Sequence, residues 1–104
     1  MTNEAISNDM LLHSSEAAKL LKSISNEQRL LILCILHERE LSVGDLNNMM
    51  PKLSQSALSQ HLAVLRNEKI VATRRDSQTI YYSLASDHVT KIIHLLHDMY
   101  CSSY

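Results

Sequence analysis

Two helix-start signals stand twelve residues apart in this chain, at Ser42 and Ser54, with its one proline, Pro51, between them. Ser42-Val43-Gly44-Asp45 opens a capped segment that continues through Leu46 to Met50. It must end there, because the residue before a proline is pushed out of the α region. Ser54 then caps a helix over 55–67, in which Leu58, Leu62 and Leu65, four and three residues apart, form a buried stripe. Two short capped helices joined by so tight a turn make a helix–turn–helix.

The neighbouring segments complete a domain around this unit. After Lys69 the period becomes strand-like: 70–74 and 79–84 are β-branched and aromatic, and Arg75-Asp76-Ser77-Gln78 between them reads as a hairpin tip. Ser86 or Asp87 caps a final helix with Val89, Ile92, Ile93, Leu96, Met99 and Tyr100 on one side. Upstream, Ala17, Leu20, Leu21 and Ile24 give a helix over about 14–23. Ser25-Asn26-Glu27-Gln28 is a capping-box pattern, and it assigns the apolar run 30–36 to a helix rather than a strand. The polar, Met-rich residues 1–13 are expected to be a flexible segment ahead of a single domain, 14–104, in which the first and last helices dimerise. The expected fold is mainly α with a β-ribbon, a winged helix–turn–helix in the order α-α-α-α-β-β-α. A chain of 104 residues with one Gly and one Pro disfavours a turn-rich all-β fold, and 45% apolar against 20% charged residues disfavours disorder. The run 30–36 is too short to span a bilayer and nothing at the start reads as a secretory signal, so the expectation is a soluble cytoplasmic protein with no membrane partner.

The net charge of −1 predicts no nucleic-acid partner, but its distribution is uneven. Residues 1–51 hold four Lys/Arg against seven Asp/Glu, whereas residues 52–104 hold six against four. With the leucine stripe facing inward, Ser56, Ser59, Gln60 and Ala63 face outward, all small or hydrogen-bonding and none acidic. Gln can pair with adenine and Ser can bond several bases. Gln55 and Ser56 stand where backbone N–H groups favour phosphate. Taken alone this face is equally a solvated surface. Arg74, Arg75 and Gln78 concentrate donors at the ribbon tip, suited to DNA backbone or minor groove, and the two features together favour duplex DNA. The last helix carries more apolar residues than a peripheral helix needs, which is explained either by packing within one chain or by a homodimer. A twofold dimer would set two reading helices about 34–36 Å apart on a near-palindromic site.

Cys34 and Cys101 are too few for a disulfide scaffold, and the absence of C-x-x-C excludes a zinc ribbon or a thioredoxin-type dithiol. From the residues alone, Cys34 reads as a small buried hydrophobe and Cys101 as a terminal bystander, with redox chemistry the other possibility. His94 and His97, three apart on the last helix, could share an ion with His88 or Asp98, but read as ordinary interface or surface histidines. His13, His37 and His61 have no ligand spacing. No cofactor is expected. The sequence has no catalytic constellation or Gly-rich phosphate loop, so the expectation is not an enzyme. A small thiol enzyme and a protein-interaction module are the alternatives from other classes.

Four segments resemble the ArsR/SmtB family of bacterial winged-helix repressors over nearly the whole chain: Asn26-Glu27-Gln28-Arg29-Leu30, Leu41-Ser42-Val43-Gly44-Asp45-Leu46, Leu53-Ser54-Gln55-Ser56-Ala57-Leu58-Ser59-Gln60-His61-Leu62 and Thr79-Ile80-Tyr81-Tyr82-Ser83-Leu84. The likeness is greatest to the branch containing the haemolysin regulator HlyU and the sulfide-responsive repressors BigR and SqrR. It implies DNA contacts at Ser56, Ser59 and Gln60. The arsenic and cadmium site of the family needs Cys-x-Cys where this chain has Ser42 and Gly44. Its zinc site falls on Ser86, His88, Met99 and Ser102, of which only His88 is a ligand, and one ligand cannot hold zinc. A metal-sensing repressor is therefore the nearest alternative, with no metal site assigned. The branch resemblance implies instead that Cys34 and Cys101 are a switch, in which oxidation or a polysulfide bridge lowers operator affinity.

Overall fold

Asn26, one residue beyond the serine that the capping pattern favours, starts the central helix: its carboxamide oxygen accepts from the N–H groups of Gln28 and Arg29 at 3.0 and 3.1 Å. Ser25 instead closes the preceding helix, donating its hydroxyl to the Lys22 carbonyl. Asn presents its acceptor as readily as Ser at this position, so the cap moves one residue on. In the computed structural model, which describes residues 3–101 and side-chain environments from residue 8 onward, the chain runs α1 (Asn3–Ile24), α2 (Glu27–Ile35), β1 (Leu41–Ser42), α3 (Val43–Met49), α4 (Gln55–Asn67), β2 (Val71–Asp76), β3 (Thr79–Leu84) and α5 (Asp87–Cys101).

The core is built from the helices and the start of β2. Ile32, Leu33 and Leu36 from the α2 end, Leu46 from α3, the Leu58–Leu62–Leu65 stripe of α4, Ile70 and Val71 before the ribbon, and Val89 and Ile93 of α5 are all at most 2% exposed. Side chains this enclosed contribute about 1.5–3 kcal/mol each on burial. At the foot of α4 the Ile70 N–H donates to Leu65 and the Lys69 N–H to Arg66, with Lys69 left-handed at φ 61°, so the chain turns sharply into β2.

The winged helix–turn–helix is the observed fold, and four further details differ from the sequence reading. The first helix begins at Asn3 rather than near residue 14, because no Gly or Pro interrupts 3–24 and Ala, Met, Leu and Glu are good helix formers. Residues 1–13, expected to be flexible, are thus helical from Asn3, while Met1 and Thr2 lie outside the described residues. A third strand, β1, pairs Leu41 with Tyr82 and Ser42 with Tyr81, giving the sheet order β1-β3-β2. Two residues are too few to show a period. The β2 strand continues through Arg75 and Asp76, which pair with Ile80 and Thr79, because the two-residue turn Ser77-Gln78 needs only Ser77 in the left-handed region, φ 56°. Finally, the α5 stripe leaves the core before its end: Met99 and Tyr100 are 60% and 75% exposed.

Among the described side chains of α1, only Ser23 and Ile24 are buried. Ser23 donates to the Glu68 carboxylate at 2.6 Å, tying the end of α1 to the end of α4. Leu20 packs against the core edge, residues 8–19 are exposed, and the radius of gyration is 15.8 Å. A compact chain of this length would give about 13 Å. Among the described residues, no helix is long and apolar enough to cross a membrane.

Candidate DNA interface and thiol pair

The turn between α3 and α4 is held by side chain-to-backbone bonds. Ser42 Oγ accepts from the Asp45 N–H while the Asp45 carboxylate accepts from the Ser42 N–H, at 3.1 and 3.2 Å. Asn47 Nδ2 donates to the Leu53 carbonyl at 3.0 Å, and Ser54 Oγ accepts from the Ala57 N–H at 3.1 Å. With Leu58, Leu62 and Leu65 locked inward, α4 presents Gln55, Ser56, Ser59, Gln60 and Ala63 outward, all exposed. Its first turn has no acid, so its free N–H groups keep their partial positive charge.

On the ribbon, Arg74 and Arg75 leave opposite faces of β2. Arg75 is exposed and makes no ion pair among the described residues, and Gln78 is exposed in the turn. Arg74 is engaged within the chain. Its guanidinium grips Glu40 through Nε, 3.1 Å from both carboxylate oxygens, and through one terminal nitrogen at 2.8 Å, and it lies 4.8 Å from the Tyr81 ring centre. The bond from Arg74 holds the Glu40 carboxyl below its usual range, and Glu40 in turn raises Arg74. Glu40 was not singled out by sequence reasoning. Only β1, which sets residue 40 beside the ribbon, could have pointed to it.

The helices that carry the two cysteines, α2 and α5, pack on one another. Both are free thiols, Cys34 half-buried on α2 and Cys101 exposed at the end of α5. Burial pushes the Cys34 thiol up, and a negative charge on Cys101 pushes it the same way. The same seam gathers histidines. His37 Nε2 is 3.2 Å from His94 Nδ1, and the His37 ring centre is 4.9 Å from that of His97. Helical spacing from Cys34 to His37, and from His94 and His97 to Cys101, places all five on facing sides. Sequence reading found His94 and His97 but not His37, since nothing in the chain announces that α2 and α5 meet. Of the other metal-type positions, Ser86 caps α5 by accepting from Val89, His88 and Met99 are exposed, and Ser102 lies outside the described residues.

A helix–turn–helix whose second helix offers hydrogen-bonding side chains to solvent, flanked by an arginine-bearing ribbon, defines a winged-helix DNA-binding regulator. The model of the family described as bacterial regulatory protein, arsR family, matches residues 26–73, and the chain belongs to that family. It is 50% identical over 95 residues to the transcriptional activator HlyU of Vibrio cholerae, covering 91% of this chain and 87% of the relative. A structure described as reduced HlyU from that species matches with a TM-score of 0.84 at 52% identity, covering 89% and 97% of the two chains. The crystal structure of HlyU from Vibrio vulnificus matches at 54% identity with a TM-score of 0.85, covering 90% and 97%. The biofilm growth-associated repressor of Xylella fastidiosa is 38% identical over 94 residues, 90% of this chain and 82% of the relative.

Proposed function

We propose that this regulator works as a homodimer on a near-palindromic operator, and that sulfur chemistry between Cys34 and Cys101 switches its grip. The observation that carries this reading is that α2 and α5, which bear the two thiols 67 positions apart in the chain, pack on one another. A thiolate at one cysteine attacks a peroxide or an outer sulfur of a polysulfide, and the second thiol displaces hydroxide or hydrosulfide from the modified sulfur. Two thiols lose two electrons and two protons; the peroxide leaves as water, or the polysulfide sulfur as hydrogen sulfide. A disulfide needs Cα atoms about 4.4–6.8 Å apart, whereas a longer sulfur chain spans a wider gap.

Dimerisation is supported by what α1 and α5 leave uncovered. Leu11, Leu12 and Leu21 on α1 and Leu95, Met99 and Tyr100 on α5 are 54–76% exposed. Two helices with this much apolar surface are explained by a second copy. A bond that fixes α5 to α2 then alters the spacing of the two reading helices, and affinity for DNA falls. Gln55, Ser56, Ser59 and Gln60 are the proposed base and phosphate contacts on α4; Arg75 and Gln78 serve the ribbon tip. Arg74 is proposed to stay on Glu40 when the chain binds DNA, and to contact phosphate only where Glu40 is removed.

The test uses a duplex selected from a random library by the reduced protein. Binding is measured for reduced, polysulfide-treated and diamide-treated protein, and for Cys34→Ser and Cys101→Ser. Release on oxidation in the parent and its loss in both variants is expected. Undiminished release in either variant removes the pair from the mechanism.

A further inference from the structure

The geometry points to a divalent transition-metal site formed by His37, Glu38 and His94, where the end of α2 meets α5. One nitrogen of each histidine and a Glu38 carboxylate oxygen lie within 4.8 Å of one another. The His37 Nε2 to His94 Nδ1 separation is 3.2 Å. Two nitrogens bound to one tetrahedral ion at 2.0–2.1 Å would stand about 3.3 Å apart. The imidazoles are therefore already at ligand spacing, and only the exposed Glu38 side chain must move inward.

The other ring nitrogen of His94 supplies an independent sign. Nε2 of His94 is 3.5 Å from the Asp98 carboxylate, one helical turn along α5. A carboxylate behind a histidine fixes the proton on the far nitrogen, leaves the near lone pair for an ion and increases its basicity. An imidazole and carboxylate set suits zinc, nickel, cobalt or copper(II) rather than calcium or magnesium. Three ligands leave a coordination position open to water. The His97 ring, 4.9 Å from that of His37, borders the same space.

This site lies within one chain and uses none of the α3 or α5 positions at Ser42, Gly44, Ser86, His88, Met99 and Ser102. It uses neither thiol as a ligand, so it neither requires nor excludes the sulfur switch. An ion here would join the same two helices that a sulfur bridge joins, by different chemistry.

Cobalt(II) is the probe, because its visible spectrum separates nitrogen and oxygen ligands from thiolate. Titration of the full reduced chain and of the Cys34→Ser/Cys101→Ser variant is expected to give one ion per chain, without a sulfur charge-transfer band in the variant. In that cysteine-free background, His37→Gln and His94→Gln should each weaken binding at least about tenfold, and Asp98→Asn about tenfold. His88→Gln should leave it unchanged. All four substitutions are at the surface or seam edge, and circular dichroism checks that helix content is retained. Absence of cobalt binding in the cysteine-free chain overturns the proposal. So does binding that survives both His37→Gln and His94→Gln, or binding lost in His88→Gln alone.

Discussion

Replacing Glu40 with Gln is the perturbation that most directly tests how the ribbon meets DNA. In the free protein, three N···O contacts of 2.8–3.1 Å hold Arg74 on Glu40, so this arginine presents little unpaired charge to a phosphate. Gln at position 40 keeps the size and removes the charge that holds the guanidinium. Arg74, tethered on β2 and supported by the Tyr81 ring, is then free to neutralise one phosphate in each chain. Each added phosphate contact steepens the dependence of log K on log salt by about 0.9, so a dimer gains about 1.8. Between about 50 and about 200 mM salt, the variant should lose about twelvefold more affinity than the parent, starting from tighter binding at low salt. Fluorescence anisotropy on the selected duplex across that range gives the slope. In the parent, Arg74→Ala should leave the slope nearly unchanged. An unchanged slope in Glu40→Gln, or a large loss in Arg74→Ala, would show that Arg74 already contacts phosphate in the complex and that the Glu40 clamp is broken on binding.

Arg75→Ala should weaken binding on all sequences and flatten the salt slope by about 0.9 per chain; a loss confined to one base position would assign Arg75 to base reading instead. Because burial and a charged Cys101 both raise the Cys34 thiol, alkylation of Cys34 should begin at higher pH in the folded chain than in urea. Cys101→Ser should move that onset down without reaching the unfolded value, since burial is the larger cause; mass spectrometry of iodoacetamide adducts against pH reads both. A Cys34–Cys101 disulfide closes a long loop and should raise unfolding free energy by about 4 kcal/mol, less any strain, in urea melts at fixed protein concentration, and an unchanged midpoint would show that the native fold resists the bond. Lys69→Gly relieves a left-handed non-glycine residue and should stabilise by up to about 1 kcal/mol; a lower melting temperature would contradict this reading of the turn.

Local chemistry made most of the fold legible. Ser42, Ser54 and Pro51 mark helix ends through backbone hydrogen bonds that involve near neighbours only, and the leucines of α4 declare their face by spacing. The outward set Gln55, Ser56, Ser59 and Gln60 followed from the same geometry. What escaped was non-local. The two residues of β1 owe their strand pairing to β3, some forty positions away, and no periodicity could reveal it. Glu40 and His37 gain their partners, Arg74 and His94, only through tertiary packing. The start of α1 was missed for another reason: its polar sequence resembles a solvated tail, and uninterrupted helix formers outweighed that resemblance.

Ser42 has a double role, pairing with Tyr81 as part of β1 and capping α3 through Asp45. One residue thus fastens the ribbon to the first helix of the helix–turn–helix, and α3 is bonded in turn to the turn before α4. Rotation imposed on α4 is consequently transmitted to the hairpin tip, with no slack joint between them. The ribbon, α3 and the turn before α4 are thus tied to one another through Ser42 and Asn47.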